Sequence, residues 1–339
     1  MRKLLNTIYV TNEDVYLTLD DENLVCKING KKIMRIPFDN IESIVCFNYQ
    51  GCSPALMGKC AEKLIPISFL TPTGKYLAKV YAGTRGNVHL RVAQIDVFRE
   101  KDIVLASNTV AAKIANNINV IKRSLHDHSD LRENERILSV IDAMKKSAHA
   151  ALQSTTYEEI LGHEGSAAKQ YFSIFGEMVT NKRYTFTYRN KRPPLDEINS
   201  VLSFLYTVYT NEYAGALETV GLDSYIGFFH KLRSGRTSLA CDLVEETRCI
   251  VDRFTISMFN LNMLSEKNFY YDESGAVFLN DEGRKKVLTK WQEKKRTEII
   301  HPYLKQKIHF GLVPYVQANL LAKYVRGEIA EYPCYINKL

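Results

Sequence analysis

Within residues 221 to 253, GLDSYIGFFHKLRSGRTSLACDLVEETRCIVDR, one imidazole, several carboxylates and several guanidinium groups lie close together. From Leu239 onward the apolar positions Leu239, Leu243, Ile250 and Phe254 fall near helical spacing, which predicts a helix. On that helix Asp242, Glu245 and Glu246, three and four apart, share one face. Gly221, Gly227 and Gly235 punctuate the segment upstream, so His230 closes a short aromatic turn ahead of a basic loop carrying Arg233 and Arg236. An acidic helix face is ordinarily just solvated, and a histidine beside two phenylalanines is ordinarily a satisfied core or surface residue. Pairing of Glu245 with Arg248 at i, i+3 would account for those charges but gives His230 no role. A hard divalent cation gives it one: carboxylates with a single imidazole suit Mg2+ or Mn2+ better than zinc, which favours Cys and several His. Arginine forks beside such a site match phosphate oxygens. The chemistry these residue types point to is metal-assisted phosphoryl transfer.

The elements that must hold this motif fall into two groups. The 339 residues, 45% of them hydrophobic, leave room for two domains with filled cores. Residues 1–90 read as a β-rich domain: LLNTIYV, VYLTL, LVCKI, KIMRIPF, SIVCF and IPISFLT are short, β-branched or aromatic, and separated by turn residues. Within it SPALMGKCAEKL, with Ser53 before Pro54, predicts a short helix over the sheet, and Thr73, Gly74 and Lys75 a turn. Lys79, Arg85 and Arg91 read as solvated charges. Residues 91–339 read as mostly α-helical, the join lying in the glycine-started segment 83–95, so the fold class is α+β. In the helical stretch LGHEGSAAKQYF, Glu164 stands between Gly162 and Gly165, either as a charge favoured by a helix N-terminus or as a functional carboxylate.

A loop, NKRYTFTYRNKRPPLDEINS, interleaves Lys182, Arg183, Arg189, Lys191 and Arg192 with Tyr184, Phe186 and Tyr188. Basic groups track phosphates and rings stack on bases, so the mix fits nucleic acid, the bland alternative being a solvated charged loop. Asp196 caps a helix expected over 197–213, and GRKKVLTKWQEKKRTEIIHPYLKQK is basic on a helical frame. The net charge of +7 is compatible with a polyanionic partner. Seven cysteines at 26, 46, 52, 60, 241, 249 and 334, without a C-x-x-C pair, exclude a disulfide framework and a zinc ligand set and read as reduced thiols. GxxxxGK with Ser or Thr is absent, which excludes a P-loop nucleotide site. No stretch has the length and apolarity of a membrane span or signal peptide, so a cytoplasmic protein is expected.

Taken together, LGHEGSAAKQYF, YRNKRPPLDEINSVLSFLY, GLDSYIGFFHKLRSGRTSLACDLVEETR and QANLLAKYVRGEIAEYP resemble the CRISPR-associated integrase/endonuclease of spacer acquisition, the universal adaptation protein. The N-terminal GCSPALMGKCAEKLIPISFLTPTGKYLAKV resembles the version seen in subtype I-C systems. The resemblance implies an N-terminal β domain that makes a homodimer and an α-helical catalytic domain whose Mg2+ or Mn2+ is held by Glu164, His230 and Glu245, with Asp242 as auxiliary ligand or acceptor for metal-bound water. It implies a transesterification in which the 3′-hydroxyl of a short DNA duplex attacks a phosphodiester at the edge of a CRISPR repeat, and a small ferredoxin-like CRISPR-associated partner. Arg189, Arg192, Arg233, Arg236, Arg248 and Arg253 are the candidates to meet the DNA or to brace the carboxylates. Two other classes use the same residues: a metal-dependent nuclease that only hydrolyses DNA, and a structural DNA-binding subunit whose acids form ion pairs. With no ion bound, the acids of the centre would be expected to repel one another, so that removing one would relieve the fold.

Overall fold

The computed structural model describes residues 6–72, 76–80, 88–100, 102–230 and 233–337. Its N-terminal part carries strands β1 (Thr7–Val10), β2 (Tyr16–Asp20), β3 (Asn23–Ile28), β4 (Lys31–Pro37) and β5 (Ser43–Cys46), helix α1 (Pro54–Glu62), then β6 (Ile67–Leu70) and β7 (Tyr76–Val80). β2, β3 and β4 form an antiparallel sheet, while β1, β5, β6 and β7 form a second sheet in that order, parallel except for the β6–β7 pair. As expected, α1 begins at Pro54, with the Ser53 hydroxyl accepting the Leu56 N–H at 3.2 Å. The turn read at Thr73, Gly74 and Lys75 lies outside the described residues, as does Arg85.

The alternation along SIVCF decides how this part meets the rest. Ile44 and Cys46 point into a core shared with Leu17, Leu24, Leu56 and Ile67, whereas Val45 and Phe47 point the other way, into the helical core. The Phe47 ring packs 5.4 Å from that of Phe204. Glu212 ties the same junction, because its Oε1 accepts from the Tyr9 hydroxyl at 3.1 Å, the Lys295 ammonium at 3.1 Å and the Trp291 indole at 3.3 Å. The central strand β5 is therefore buried on both faces.

The helical part contains α2 (Val88–Glu100), α3 (Asp102–Asp127), α4 (Glu135–Gln153), α5 (Tyr157–Ser173), α6 (Glu197–Val220), α7 (Ser238–Asn260), α8 (Asp281–Lys295) and α9 (Val313–Val325). α3, 26 residues long and so about 39 Å, packs against α4, α5 and α7, and α7 packs against α6. α5 starts on a capping box, in which the Thr156 hydroxyl accepts from Glu159 N–H and the Glu159 carboxylate accepts back. α6 starts where Asp196 accepts the Asn199 N–H at 2.7 Å, and it runs past the expected end at 213 to Gly221, whose φ of +90° lets it stop the helix.

Several expectations are corrected. α2 begins at Val88, so the described part of the 83–95 join is helix. The helical run expected from Arg284 onward is broken by a hairpin, β10 (Glu298–Ile300) with β11 (Lys307–His309), and a second hairpin, β8 (Phe269–Tyr271) with β9 (Val277–Leu279), precedes α8. Lys79 and Arg91 are not simply solvated: the Lys79 amine is buried against Gly215 of α6, and Arg91 lies 3.9 Å from Glu218. Among the described residues no helix is long and apolar enough to cross a membrane.

Candidate metal centre

Three elements supply the candidate ligands. Glu164 lies on α5, Glu245 on α7, and His230 in the loop between α6 and α7. Glu164 is in the middle of its helix rather than in its first turn, so the reading of it as a charge favoured by a helix N-terminus is set aside. Its flanking residues Gly162 and Gly165 face open space, since a Cβ on either would meet nothing within 4 Å.

The loop is braced from three sides. Gln94 of α2 donates to the Asp223 and Ile226 carbonyls at 2.9 and 2.8 Å and accepts the Asp223 N–H at 2.9 Å. The Tyr157 hydroxyl of α5 donates to the Phe228 carbonyl at 2.8 Å. From α7, Asp242 accepts the backbone N–H groups of Phe228, Phe229 and His230 at 2.7, 3.0 and 2.9 Å, and its Oδ1 lies 2.6 Å from His230 Nδ1. Those four contacts take up the acceptor directions of the buried carboxylate. With Nδ1 engaged, Nε2 is the nitrogen left to a ligand. Gly227 is required by this closeness, because a Cβ there would meet Asp242 Oδ2 at 2.5 Å and the Ser238 backbone at 2.9 Å.

Glu245, one turn further along α7, meets two cations. Arg248 donates to Oε1 at 2.7 Å, and the Lys113 ammonium of α3 lies 2.6 Å from Oε2. The same ammonium pairs with Glu164 Oε1. Lys113 thus joins two of the sequence-selected acids, and it was not among the residues the sequence singled out. Its signal is a polar stripe inside an otherwise apolar helix: Thr109, Lys113, Asn116, Asn117 and Ser124 of α3 are all buried.

Burial works to raise the Glu245 carboxyl, but Arg248 and Lys113 outweigh it, with His230 acting in the same direction, and hold it well below the usual carboxylate range. The three acids of α7 that the sequence grouped on one face, Asp242, Glu245 and Glu246, do not line a solvated face. All are buried, and they part company: Asp242 serves the loop, Glu245 the cations, and Glu246 the C-terminal segment. Glu246 accepts from Gln317 Nε2 at 2.8 Å, the Tyr332 hydroxyl at 2.5 Å and the Tyr335 N–H at 2.7 Å, and burial pushes its carboxyl up to about 7.

The candidate arginines scatter. The Arg248 guanidinium lies 3.9 Å over the Tyr206 ring, and Arg189 reaches the same ring at 5.4 Å while donating to Asn199 and Ser203 at 2.7 and 3.0 Å. Tyr206 donates in turn to Asp252, which also accepts from Tyr171 at 3.1 Å. Arg253 is paired with Asp127 of α3. Arg236 donates to Ser238 at 3.3 Å, and Arg192 and Arg233 are exposed. In the basic loop Tyr184 and Phe186 are core residues, which corrects their reading as stacking platforms, whereas Tyr188 is 57% exposed. Within α8, Arg284 and Lys295 are buried on Asp281 and Glu212, so only part of that basic face can meet a partner.

No three His, Cys, Asp or Glu side chains among the described residues converge closely enough to hold an ion as they stand. The donor set nevertheless fits one. Glu245 Oε2 is buried without a well-directed hydrogen bond, Nε2 of His230 is spare, and a small cation is what the two carboxylates share.

Residues 8–293 match the family model described as CRISPR associated protein Cas1. The chain is 41% identical over 340 residues, 98% of each chain, to the CRISPR-associated endonuclease Cas1 2 of Rhodospirillum rubrum. In fold it is similar to a casposase bound to integration product, with a TM-score of 0.83, 22% identity and coverage of 99% of this chain and 96% of that one. It is similar also to a chain of a Cas6-RT-Cas1–Cas2 complex, with a TM-score of 0.82, 18% identity and coverage of 98% of this chain and 36% of that one. The chain that carries Glu164, His230 and Glu245 on this scaffold belongs to the CRISPR-associated Cas1 family.

Proposed function

We propose that this chain is a DNA integrase and endonuclease that uses Mg2+ or Mn2+ held by Glu164, His230 and Glu245. The observation that carries the reading is the meeting of Glu164 and Glu245, from two helices, on one small cationic position, in a Cas1-family chain. Two carboxylates balance the charge of a divalent ion and one neutral nitrogen completes a set that leaves room for phosphate oxygens. When bound, the ion polarises the scissile phosphate and favours a hydroxyl as nucleophile.

The chain's own residues do the rest. Asp242 works through His230, fixing the ring and its tautomer so that Nε2 is the nitrogen left for a ligand. Arg248, stacked on Tyr206, keeps Glu245 ionised and aimed. The open backbone at Gly162 and Gly165 leaves space for a polymer beside Glu164. In the reaction the 3′-hydroxyl oxygen of a short duplex attacks phosphorus at the edge of a CRISPR repeat. One P–O bond forms and one breaks: the phosphate stays on the repeat's 5′ end, the strand on its other side departs with a new 3′-hydroxyl, and that leaving oxygen gains a proton for the one the attacking hydroxyl loses. Phosphodiester is exchanged for phosphodiester, so no co-reactant is consumed. Water in place of the hydroxyl would give hydrolysis at the same centre.

Double-stranded DNA is the proposed substrate, a small ferredoxin-like CRISPR-associated protein the proposed partner, and subtype I-C the system that the N-terminal stretch supports. A homodimer through the β domain is supported by β4, whose Ile33 and Met34 are 53% and 55% exposed on an edge strand. The test is incubation of the purified chain, with and without its partner, with labelled duplex and a supercoiled repeat-bearing plasmid. Label joined to plasmid, dependent on Mn2+ or Mg2+ and lost with a chelator, is expected. Cleavage without joining would favour the hydrolytic nuclease, and neither activity would overturn the reading.

A further inference from the structure

Lys113 belongs to neither the acidic motif nor any charged loop, yet its ammonium stands where the two carboxylates meet. It lies 2.6 Å from Glu245 Oε2, pairs also with Glu164 Oε1, and its side chain is 10% exposed. An ammonium concentrates its charge on one tetrahedral nitrogen with three donors, so it can bridge two carboxylates as a small cation does. We propose that Lys113 is a resident surrogate for the divalent ion: it holds Glu164 and Glu245 together, and ion entry is an exchange for its ammonium at the same two oxygens. This rests on the metal-centre reading above.

Charge accounting supports the exchange. Glu164 and Glu245 are already balanced by Lys113 and Arg248, the latter 2.7 Å from Glu245 Oε1. A doubly charged ion arriving among two cations is opposed by both, and Arg248 is held on its other side by the Tyr206 ring at 3.9 Å. Lys113, whose long stem is the flexible one, is the group that yields. Its competition lowers ion affinity, and its presence spares two partly or wholly buried carboxylates from facing each other bare. Lys113 is in this account a positioning residue that sets ion affinity.

The experiment titrates the full chain calorimetrically with MnCl2 and melts it with and without Mn2+, for the parent, K113M, K113Q and K113R. K113Q keeps a hydrogen-bond donor without the charge and covers the case in which K113M fails to fold. The expected result is a Mn2+ Kd about tenfold lower in K113M and K113Q than in the parent, about 1.4 kcal/mol, with no such gain in K113R. Without Mn2+ the two uncharged variants melt below the parent, and Mn2+ raises their midpoints more than it raises the parent's. Mn2+ that binds the parent, but binds K113M and K113Q no more tightly, would overturn the exchange and leave the metal centre standing. Mn2+ that binds neither parent nor variants would overturn the metal-centre reading and the exchange with it.

Discussion

His230 and Asp242 form a single unit, joined twice at one oxygen: Asp242 Oδ1 lies 2.6 Å from the imidazole Nδ1 and accepts the His230 backbone N–H at 2.9 Å. Ring and backbone are held by the same atom, so a turn of the imidazole costs Asp242 Oδ1 one of its two donors while the backbone anchor stays. Asp242→Asn should therefore impair His230 while leaving every charge of Glu164 and Glu245 in place. An amide oxygen can satisfy some of the four donors, and its NH2 group faces the others. Mn2+ affinity should fall by about 10- to 100-fold, as for the loss of other groups that orient a metal-ligating histidine. Calorimetric titration checks this, and an Asp242→Asn protein with parental affinity and strand joining would refute it.

Glu164 and Glu245 should differ in what they do for stability. The expectation that acids without an ion repel one another is replaced by the Lys113 bridge. Glu245→Ala strips a carboxylate from both Lys113 and Arg248, and should destabilise the chain by about 3–5 kcal/mol when no ion is present. Glu164→Ala leaves Lys113 its contact with Glu245, and the Glu164 side chain is 23% exposed, so its loss should be clearly smaller. Denaturant unfolding in chelator ranks the two, and equal losses would show that the bridge is not held in solution.

Gly227→Ala tests the loop without touching a charge. The added Cβ would meet Asp242 Oδ2 at 2.5 Å and Ser238 backbone at 2.9 Å, so the loop must move off α7. Overpacking of this kind is expected to destabilise by about 1–3 kcal/mol, and strand joining should fall with it because His230 moves with the loop. Gly162→Ala, where space is open, is the control for stability.

Burial draws the Lys79 amine down to about 7, against the pull of Glu218. The unfolded chain keeps that proton until about pH 10.4, whereas the folded chain gives it up from about pH 7. Between those values the unfolded state binds more protons, so this group makes stability rise with pH by up to about 1.4 kcal/mol per unit. Below pH 7 the penalty is complete. Lys79→Met should be more stable than the parent near pH 6.5 and should lose that part of the slope, measured by denaturant unfolding from pH 6 to 9.5. An unchanged slope would place the amine in water.

DNA binding should be electrostatic, but not through every basic residue of the two basic segments. Charge reversal at the exposed Lys182, Arg183 and Arg192 should weaken duplex binding and flatten its dependence on salt. Arg284→Ala should instead lower the melting midpoint, since that side chain is 3% exposed and is tied to Asp281 and the Leu279 carbonyl. Salt titrations of duplex binding, read beside thermal melts, separate the two. Loss of binding by a fully stable Arg284→Ala protein would reverse the assignment.

Local chemistry was legible wherever near neighbours decide it. The Ser53–Pro54 start of α1, the Asp196 cap of α6 and the helical run from Leu239 were all open to reading, because capping and amphipathic spacing act over a few residues. The four motifs that carry the family resemblance were legible in the same way, as contiguous strings. What spacing could not show is which partner each buried charge takes. Asp242, Glu245 and Glu246 look alike on a helical wheel, yet one anchors a loop, one meets two cations and one clasps the C-terminal segment, since three different elements pack around α7. Nor could spacing place strands after Arg296, where the β10–β11 pairing overrides a basic sequence that suits a helix. The amino-acid sequence by itself determined the starts of α1 and α6, the helical run of α7, and the acids and imidazole available for a centre. The packing of α3 between α5 and α7 decided that Lys113, 51 residues before Glu164, stands among them, because an ion pair is set by distance in space, and only the folded chain supplies that distance.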